Sequence, residues 1–368
     1  MTRAAARADG RAGILPYQEL ASAIARGAVT AREPIAETQI QPASLDLRLG
    51  PVAHRLRASF LPGRGASVAD RLEDFVMHTI SLETGAVLET GCVYLVPLTE
   101  QLALPPDISG TANPKSSTGR LDVFTRLIAD HSTGFDRVQP GYSGPLYAEI
   151  CPQTFSILVR TGSSLSQLRL RRGEARIDDD ALARLHAEEH IVDRDGDIEN
   201  GLALTLDLQG MAGEGARRIG YRAKRHSGVV DVDRIGAYDP LDFWEPLQGQ
   251  GDRPLILDPN EFYILASKEA VRIPASHAAE MVPFDPLVGE FRVHYAGFLD
   301  PGFGYGPHGA SRIVLEVRSH EVPFALEDGQ VVGRLHFERM AAVPDRLYGV
   351  HIRSHYQGQA LKLSKHFR

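Results

Sequence analysis

The sequence predicts a mainly β protein that contains two similar domains in tandem. Three observations support this prediction: the length of the chain, its glycine and proline content, and a set of patterns that occurs twice. The 368 residues exceed the usual size of one domain. The 35 glycines and 23 prolines favour many short strands joined by tight turns. We therefore expect antiparallel barrels or sandwiches rather than long helices.

Composition excludes several classes of protein. Hydrophobic residues make up 43% and charged residues 24% of the chain, as in ordinary globular proteins. The net charge is −7 and no long basic block occurs, so binding to nucleic acid is not expected. No run of 18 apolar residues is present, which argues against a membrane partner. Residues 1–12 lack the apolar core of a signal peptide, and we expect a cytoplasmic protein.

Five pairs of similar segments recur in the same order along the chain, at offsets between 161 and 169 residues. The first pair consists of alternating apolar runs that end in glycine, which is typical of a half-buried strand closed by a turn. Conserved order with so small a drift indicates a tandem duplication of one β-rich domain. The paired segments are 41–50 with 201–210, 92–96 with 261–265, 104–107 with 273–276, 139–142 with 300–303, and 148–149 with 315–316.

The predicted boundary lies near Arg171, which divides the chain into domains 1–172 and 173–368. A short helix opens each copy. Residues 16–27 have apolar positions at helical spacing and end in glycine. Three aspartates precede residues 181–190, which suits an acid-rich helix start.

Two further regions of the second half are distinctive. Residues 210–253, which hold the only tryptophan, Trp244, are predicted to form long loops. The tail from about residue 348 to 368 is basic and is absent after the first copy.

The strongest chemical cluster is residues 113–120, Asn-Pro-Lys-Ser-Ser-Thr-Gly-Arg, which we call the cassette. Its hydroxyls and backbone N–H groups can donate to a phosphate, while Lys115 and Arg120 neutralise charge. It is not a Walker A loop, and a polar turn that caps a helix is the alternative reading. The corresponding residues 283–289 keep a proline but have none of the hydroxyls or cations, which favours a site retained in one copy.

A second feature is a Pro-Gly turn followed by a glutamate in an apolar strand. Residues 139–142 precede Glu149 in the first copy, and residues 300–303 precede Glu316 in the second. A buried carboxylate is costly unless it is paired or functional, whereas an outward-facing glutamate would be unremarkable.

These features, in this order, resemble the dCTP deaminase family, which belongs to the trimeric dUTPase-like superfamily. The motifs are Gln-Pro-Ala-Ser-Leu-Asp-Leu-Arg-Leu-Gly at 41–50, Ser-Ser-x-x-Arg, Pro-Gly-aromatic and the strand glutamate. Tyr348 and residues 354–359 are similar to the family's C-terminal nucleotide-closing segment. The chain resembles a double-length member over roughly residues 13–360, with a patchy match across 210–253. The resemblance implies dUTPase-like β-barrels and hydrolytic deamination of dCTP to dUTP and ammonia, a step toward dUMP and dTTP.

The resemblance also implies roles for individual residues. Lys115, where the family usually has arginine, would hold phosphates together with Ser116 and Ser117. Ser116 and Arg120 would organise the catalytic water and the glutamate. Either Glu149 or Glu316 would act as general base and acid.

Further substrate contacts are implied in the two turns and in the tail. Asp300 would approach the sugar or the base, and its counterpart in the first copy is Gln139, three residues before the aromatic turn residue. The set of substrate-binding residues implied here is Gln139, Tyr142, Asp300, Tyr348, His355 (in place of the family's lysine) and Gln359.

The cofactor and partner predictions follow from the same resemblance. Zinc-dependent base deaminases need His/Cys-x-Glu with Pro-Cys-x-x-Cys, and this chain has neither, with only Cys92 and Cys151. We therefore expect no zinc, no metal ligands from the protein, and Mg²⁺ bound with the triphosphate. The implied partners are dCTP, dUTP, dTTP as feedback inhibitor, and further copies of the chain, as a homotrimer.

The sequence leaves two questions open. In a composite site the cassette of the first copy serves Glu316 of the second, because the family's sites lie between subunits. In a single-copy site it serves Glu149. For naming one residue we prefer the single-copy assignment, because Ser116, Arg120 and Glu149 form a complete set in one domain.

The activity also has alternatives on the same fold. The chain could be a dUTP diphosphatase or a bifunctional enzyme that carries dCTP through to dUMP. It could instead be a catalytically silent nucleotide-binding regulator, since one copy has lost its polar residues.

Overall fold

A computed structural model describes residues 11–210, 217–249, 251–283, 291–294, 297–307, 309–319, 321–352 and 355–368. The predicted mainly β fold is confirmed, with short helices between the strands. Among the described residues, no helix combines the length and the apolar character that crossing a bilayer requires.

The first half contains thirteen described strands, almost all of them paired antiparallel. Its helices are α1 (Tyr17–Ala25), a 3-10 turn (Glu37–Gln39), α2 (Val68–Phe75) and α3 (Ser116–Gly119). The strands are β1 (Gly13–Ile14), β2 (Val29–Ala31), β3 (Leu45–Leu47), β4 (Val52–Leu56), β5 (Val76–Ser81), β6 (Ala86–Leu88), β7 (Val93–Ala103), β8 (Ile108–Pro114), β9 (Val123–Ala129), β10 (Arg137–Val138), β11 (Ser143–Pro152), β12 (Ile157–Val159) and β13 (Ser166–Arg172).

The second half begins with α4 (Asp179–Glu189) and also contains α5 (Pro240–Phe243). Its described strands are β14 (Leu202–Thr205), β15 (Arg218–Ala223), β16 (Val230–Asp231), β17 (Trp244–Gln248), β18 (Leu255–Leu257), β19 (Phe262–Val271), β20 (His277–Pro283), β21 (Phe291–His294), β22 (Phe298–Leu299), β23 (Ser311–Ser319), β24 (Phe324–Leu326) and β25 (Val331–Arg339).

The strand orders of the two halves match. In the first half β3, β13, β8 and β10 are neighbours in one sheet, and in the second half β14, β25, β20 and β22 take the same order. A second sheet runs β5-β4-β7-β11-β9 in the first half and β17-β15-β19-β23-β21 in the second. Strand β11, which carries Glu149, therefore has the same sheet position as β23, which carries Glu316.

Both predicted opening helices are confirmed. Helix α1 buries Leu20 and Ala23 against the first core. Helix α4 starts after Asp178, whose side chain accepts a hydrogen bond from Ala181 N at 2.8 Å. The predicted boundary at residue 172 coincides with the last residue of β13.

The prediction of long loops in 210–253 is wrong for much of that segment. Strands β15, β16 and β17 and helix α5 form there, and Trp244 is fully buried. Gly220 lies inside β15, and its position requires glycine because a Cβ would lie 2.6 Å from Ile264 O of β19. This close approach between strands is a tertiary constraint that the pattern along the chain does not record.

The two halves share buried surface. Ile264 and Trp244 of the second half pack in the same apolar cluster as Leu47 and Phe155 of the first. The rings of Trp244 and Phe155 meet edge to face, with 5.3 Å between centroids. Strand β16 also pairs in parallel with β12, so the halves are joined by a sheet as well as by a core.

Candidate active site

A cavity of about 260 Å³ lies between the two halves. Its walls combine the cassette, the turn after β22, strand β23 and the C-terminal tail. The polar and aromatic lining residues are Gln41, Asp46, Lys115, Ser116, Ser117, Arg120 and Gln167 from the first half, Phe298, Asp300, Phe303 and Glu316 from the second, and Tyr348, His355, Tyr356, Gln359 and Lys365 from the tail.

The cassette is held at the end of β8, a strand paired along its length with β13. The amide of Lys115 donates to Leu165 O at 2.9 Å, and that of Arg120 donates to Ser116 O at 3.1 Å. The first bond ties the cassette to the segment before β13, and the second closes helix α3 into a tight turn, so cassette side chains line one end of the cavity.

Positive charge is concentrated at this end of the cavity. Lys115 forms an ion pair with Asp46 of β3, a residue inside the 41–50 motif. Burial lowers the pKa of Lys365, and Lys115 lowers it further. Burial also lowers the pKa of His355, and the neighbouring lysines add to that effect. Since cations suppress each other's protonation here, an anionic ligand would relieve their repulsion.

Arg120 connects the cassette with the tail and with β23. Its guanidinium donates to Gln359 Oε1 and to Lys362 O, both at 2.9 Å. Its Cζ lies 4.0 Å from the ring centroid of Tyr356, a cation–π distance. Its Nε lies 3.8 Å from Glu316 Oε1, and both side chains are buried. Arg120 is therefore held rigidly beside the carboxylate.

Glu316 faces the cavity because side chains alternate along β23. Leu315 and Val317 on either side enter the second core, so the glutamate takes the opposite face. Burial raises the pKa of the Glu316 carboxyl to about 8, while the Arg120 guanidinium acts to lower it. A carboxyl with such a pKa can both accept and donate a proton near neutral pH.

Asp300 approaches the cavity from the turn after β22. Arg169, a buried residue of β13, lies 3.4 Å from Asp300 Oδ1 and 3.0 Å from Glu338 Oε2. Burial raises the pKa of Asp300 to about 6, and Arg169 opposes the rise. The first half therefore positions a carboxyl group that the second half contributes.

The tail closes one side of the cavity. The rings of Tyr348 and Phe303 lie 5.9 Å apart. Gln359 exchanges two hydrogen bonds of 3.0 Å with the backbone of Arg312, at the start of β23. The tail is thus docked directly on the strand that carries Glu316.

Residues 230–244 contact the end of the tail. The segment 210–253, which was predicted to form loops, therefore has a structural role. Phe367 packs against the rings of Tyr238, Phe243 and Trp244. Ala237 N donates to His366 O at 2.9 Å. We call the packing around Phe367 the tail anchor.

Three residues predicted for the first copy lie outside the cavity lining. Gln139 is exposed in a turn. Tyr142 Oη donates to Pro145 O at 2.6 Å and accepts from Asp130 N, which stabilises the same turn. Glu149 is buried on β11, where Arg126 Nε donates to its Oε1 at 3.1 Å.

The structure brings the other predicted residues together. Lys115, Ser116, Ser117 and Arg120 share the cavity with residues of the second half and the tail, namely Asp300, Glu316, Tyr348, His355 and Gln359. This is the arrangement of the composite alternative.

Sequence reasoning assigned no role to several lining residues. Asp46 and Tyr356 lie within the two recognised motifs, so their position was the available signal. Lys365 lies in the basic tail and Phe298 in a segment without a distinctive pattern, and only packing places both at the cavity. Within the described ranges, no group of three or more His, Cys, Asp or Glu side chains could hold a metal ion.

Two family models match the chain. The model described as "2'-deoxycytidine 5'-triphosphate deaminase (DCD) N-terminal domain" matches residues 11–174. The model of the C-terminal domain of the same deaminase matches residues 178–367, which is more than half of the chain.

Individual relatives agree with these matches. The chain is 32% identical over 134 residues to a dCTP deaminase of Halorubrum lacusprofundi, a match covering 36% of this chain and 63% of that protein, less than two thirds of its length. It is 30% identical over 149 residues to "dCTP deaminase, dUMP-forming" of Streptomyces coelicolor, covering 38% of this chain and 75% of that protein.

A solved structure is similar over nearly the whole chain. The crystal structure of 2'-deoxycytidine 5'-triphosphate deaminase from Agrobacterium tumefaciens has a TM-score of 0.87 and 56% sequence identity, covering 90% of this chain and 99% of that chain. The chain therefore belongs to the dCTP deaminase family, whose enzymes are hydrolases that act on carbon–nitrogen bonds of cyclic amidines.

Proposed function

We propose that this chain deaminates dCTP to dUTP and ammonia at a composite site in which Glu316 is the catalytic carboxylate. The observation that carries the proposal is the buried Glu316, 3.8 Å from Arg120, in the same cavity as the phosphate-binding cassette. Neither half supplies both the glutamate and the cassette to this cavity.

Glu316 acts first as a base and then as an acid. Its carboxylate takes a proton from water, and the hydroxide attacks C4 of cytosine. The protonated carboxyl then delivers protons toward the ring nitrogen and the departing amino group, so the C4–N4 bond breaks and ammonia leaves. Water and dCTP are consumed, dUTP and ammonia are formed, and Glu316 regains its starting state. The raised pKa of about 8 suits both roles.

Arg120 and Ser116 support this chemistry. Arg120 is held by Gln359 and by the backbone of Lys362 and keeps its charge beside Glu316. Ser116 lines the same cavity and can orient the water with its hydroxyl group. Asp300 is placed to bind the sugar or the base.

The triphosphate would lie at the positive end of the cavity. Lys115, Ser116 and Ser117 supply a cation and two hydroxyls there, and Tyr348, His355 and Gln359 of the tail would cover it. Mg²⁺ would enter bound to the triphosphate oxygens, as part of the substrate. dTTP carries the same triphosphate and deoxyribose, so we propose that it competes for this cavity.

We favour Glu316 over Glu149 because the two carboxylates have different surroundings. Arg126 donates two hydrogen bonds to Glu149 Oε1, at 3.1 and 2.5 Å. Glu149 is thus paired within the first half and lies outside the cavity that contains the cassette.

We also propose that one chain is the catalytic unit. The predicted homotrimer rested on sites that are completed between subunits, whereas here the cassette, Glu316 and the tail come from one chain. The matching strand orders support two duplicated domains, with boundaries near 1–172 and 173–368, that form this interface within the chain.

A second candidate activity continues from dUTP to dUMP. It is favoured by the printed name of the Streptomyces coelicolor relative, "dCTP deaminase, dUMP-forming".

One experiment tests both candidates. The purified protein is incubated with dCTP and Mg²⁺ and, separately, with dUTP and Mg²⁺, and ammonia and nucleotides are quantified. We expect ammonia and dUTP in equal amounts from dCTP. Formation of dUMP and pyrophosphate would establish the second candidate, and absence of any product would overturn both.

A further inference from the structure

A second ion pair joins the halves next to the Arg120–Glu316 contact. Asp122 lies two residues after Arg120, and Arg318 lies two residues after Glu316 on the same face of β23. The Arg318 guanidinium contacts the Asp122 carboxylate. The first pair has its cation in the first half, whereas the second has it in the second half. The two ion pairs therefore lie side by side across one interface, with the cation and the anion exchanged between the halves.

Arg318 is held by more than its ionic partner. Its guanidinium also donates to Thr154 Oγ1 at 2.8 Å and to Asn260 O at 2.6 Å. Thr154 in turn donates to Asp122 Oδ2 at 2.5 Å. Asp122 and Arg318 are 1% and 10% exposed at their side chains. Such a buried, multiply bonded pair permits one relative position of the two segments.

The backbone at Asp122 is equally constrained. Its φ is +56°, a left-handed conformation that few residues other than glycine adopt. Its amide donates to Gly119 O at 2.8 Å, and its carbonyl accepts from Gln153 N at 2.9 Å. The pair is therefore attached directly to the turn that carries Arg120.

The residues that correspond to Asp122 and Arg318 in the opposite copies cannot form this ion pair. With β11 aligned to β23 through their glutamates, Cys151 takes the position of Arg318. At the offset of the cassette, Phe291 takes the position of Asp122. Both charged partners thus occur only where the cassette meets Glu316.

We propose that Asp122 and Arg318 are positioning residues that hold the cassette and β23 in the register that places Arg120 beside Glu316. This inference rests on the proposed function of Glu316. A buried ion pair contributes little net stability compared with apolar packing, but its loss allows alternative registers. The role of the pair is accordingly geometric: it acts on the reacting groups through Arg120 and Glu316.

Steady-state kinetics of Asp122→Asn and Arg318→Met test the proposal. A displacement of about 1 Å at reacting groups can cost about 10²-fold in rate, so we expect kcat to fall by about that factor. The KM for dCTP should change by less than about 3-fold, because Lys115 N donates to Leu165 O and Ser117 O accepts from Ser364 Oγ, and these bonds involve neither Asp122 nor Arg318. Arg318→Lys, which keeps the charge but not the three-way contact, should retain more activity than Arg318→Met.

Arg160→Met is the matched control. Arg160 also joins the halves, through bonds of 2.7 and 2.9 Å to Asp231, and neither residue lines the cavity. We expect this variant to lower the melting temperature and leave kcat unchanged. If Arg160→Met lowers kcat as much as the two test variants do, or if those variants keep wild-type kcat, the positioning role is overturned.

A titration of Glu316 gives a reading that needs no turnover. The charged and titratable groups described around it are Arg120 and Asp122 on the cassette side, Arg318 on its own strand and Tyr356 of the tail. In Asp122→Asn, displacement of the Arg120 cation from Glu316 should raise the pKa of Glu316, whereas the loss of the Asp122 anion alone would lower it. The titration is followed by ¹³C NMR, and Glu316→Gln assigns the signal. A lowered or unchanged pKa overturns the positioning role.

The kinetic and titration experiments distinguish failure of the proposed function from failure of the positioning role. A wild-type protein that releases no ammonia from dCTP overturns the proposed function alone, and the carboxyl titration then decides the positioning role. If Asp122→Asn does not fold, Arg318→Lys takes its place in that titration, where it keeps the charge and should raise the pKa of Glu316 only by displacing Arg120.

Discussion

Strands β11 and β23 occupy the same position in matching sheets, yet their glutamates have opposite surroundings. Glu149 is bound by Arg126, whose guanidinium also stacks on Phe124 and Phe135 at 4.6 and 3.5 Å. Glu316 lies 3.8 Å from Arg120 and opens onto a cavity. The comparison teaches that one scaffold can either pair a strand glutamate closely with a cation of its own half or place it at a cavity between the halves.

Replacing each glutamate by glutamine should separate these roles most strongly. Glu316→Gln removes the proton-accepting group, and we expect a loss of about 10²–10⁴-fold in kcat. Glu149→Gln should keep most of the activity. Ammonia release at saturating dCTP measures both variants. The reverse ranking would restore the single-copy assignment, and two fully active variants would exclude a carboxylate mechanism.

Removing each arginine should give a complementary result. Arg120→Ala should lower turnover by at least about 10²-fold, because a preorganised charge at the reacting groups is lost. Arg126→Ala leaves the buried Glu149 without its cation, which we expect to lower the free energy of unfolding by about 3 kcal/mol. Denaturant unfolding and activity per folded molecule check the pair. An Arg126→Ala protein with wild-type stability and no activity would contradict the comparison.

The pH dependence should reflect Glu316. The carboxylate form is the base, and its pKa is raised to about 8. We therefore expect kcat/KM to rise about tenfold per pH unit below pH 8 and to level off above it. A profile measured from pH 5.5 to 9.5 tests this. Activity that is flat across that range would show that Glu316 is already ionised at the lowest pH.

The smallest expected effect concerns the tail, which lines the cavity that contains Glu316. Phe367→Ala removes the ring at the centre of the tail anchor. Weaker docking should raise the KM for dCTP by about 10-fold or less, with little change in kcat at saturation. The exposed Ile256→Ala is a control outside both the anchor and the cavity. Equal KM values in the two variants would show that docking does not limit binding.

Much of the site was predictable from local patterns. Lys115, Ser116, Ser117 and Arg120 lie in one short segment whose composition suits phosphate binding, and the cavity contains all four. Helices α1 and α4 lie where spacing and end signals predicted them. The prediction of long loops was wrong for much of residues 210–253, where β15 includes Gly220, a position with no room for a side chain beside Ile264 O.

The sequence by itself determined that this protein is β-rich and repeated, that it carries one polar cassette, and that two strand glutamates compete for one role. Such features depend on neighbours along the chain, which local spacing encodes. Only the tertiary structure shows which glutamate shares a cavity with the cassette, because Arg120 and Glu316 are 196 positions apart and meet only when the halves pack together. The contacts of Arg318 with Asp122 and of Arg169 with Asp300 were beyond sequence reasoning for the same reason. Packing sets the distance between remote segments, and no local pattern records that distance.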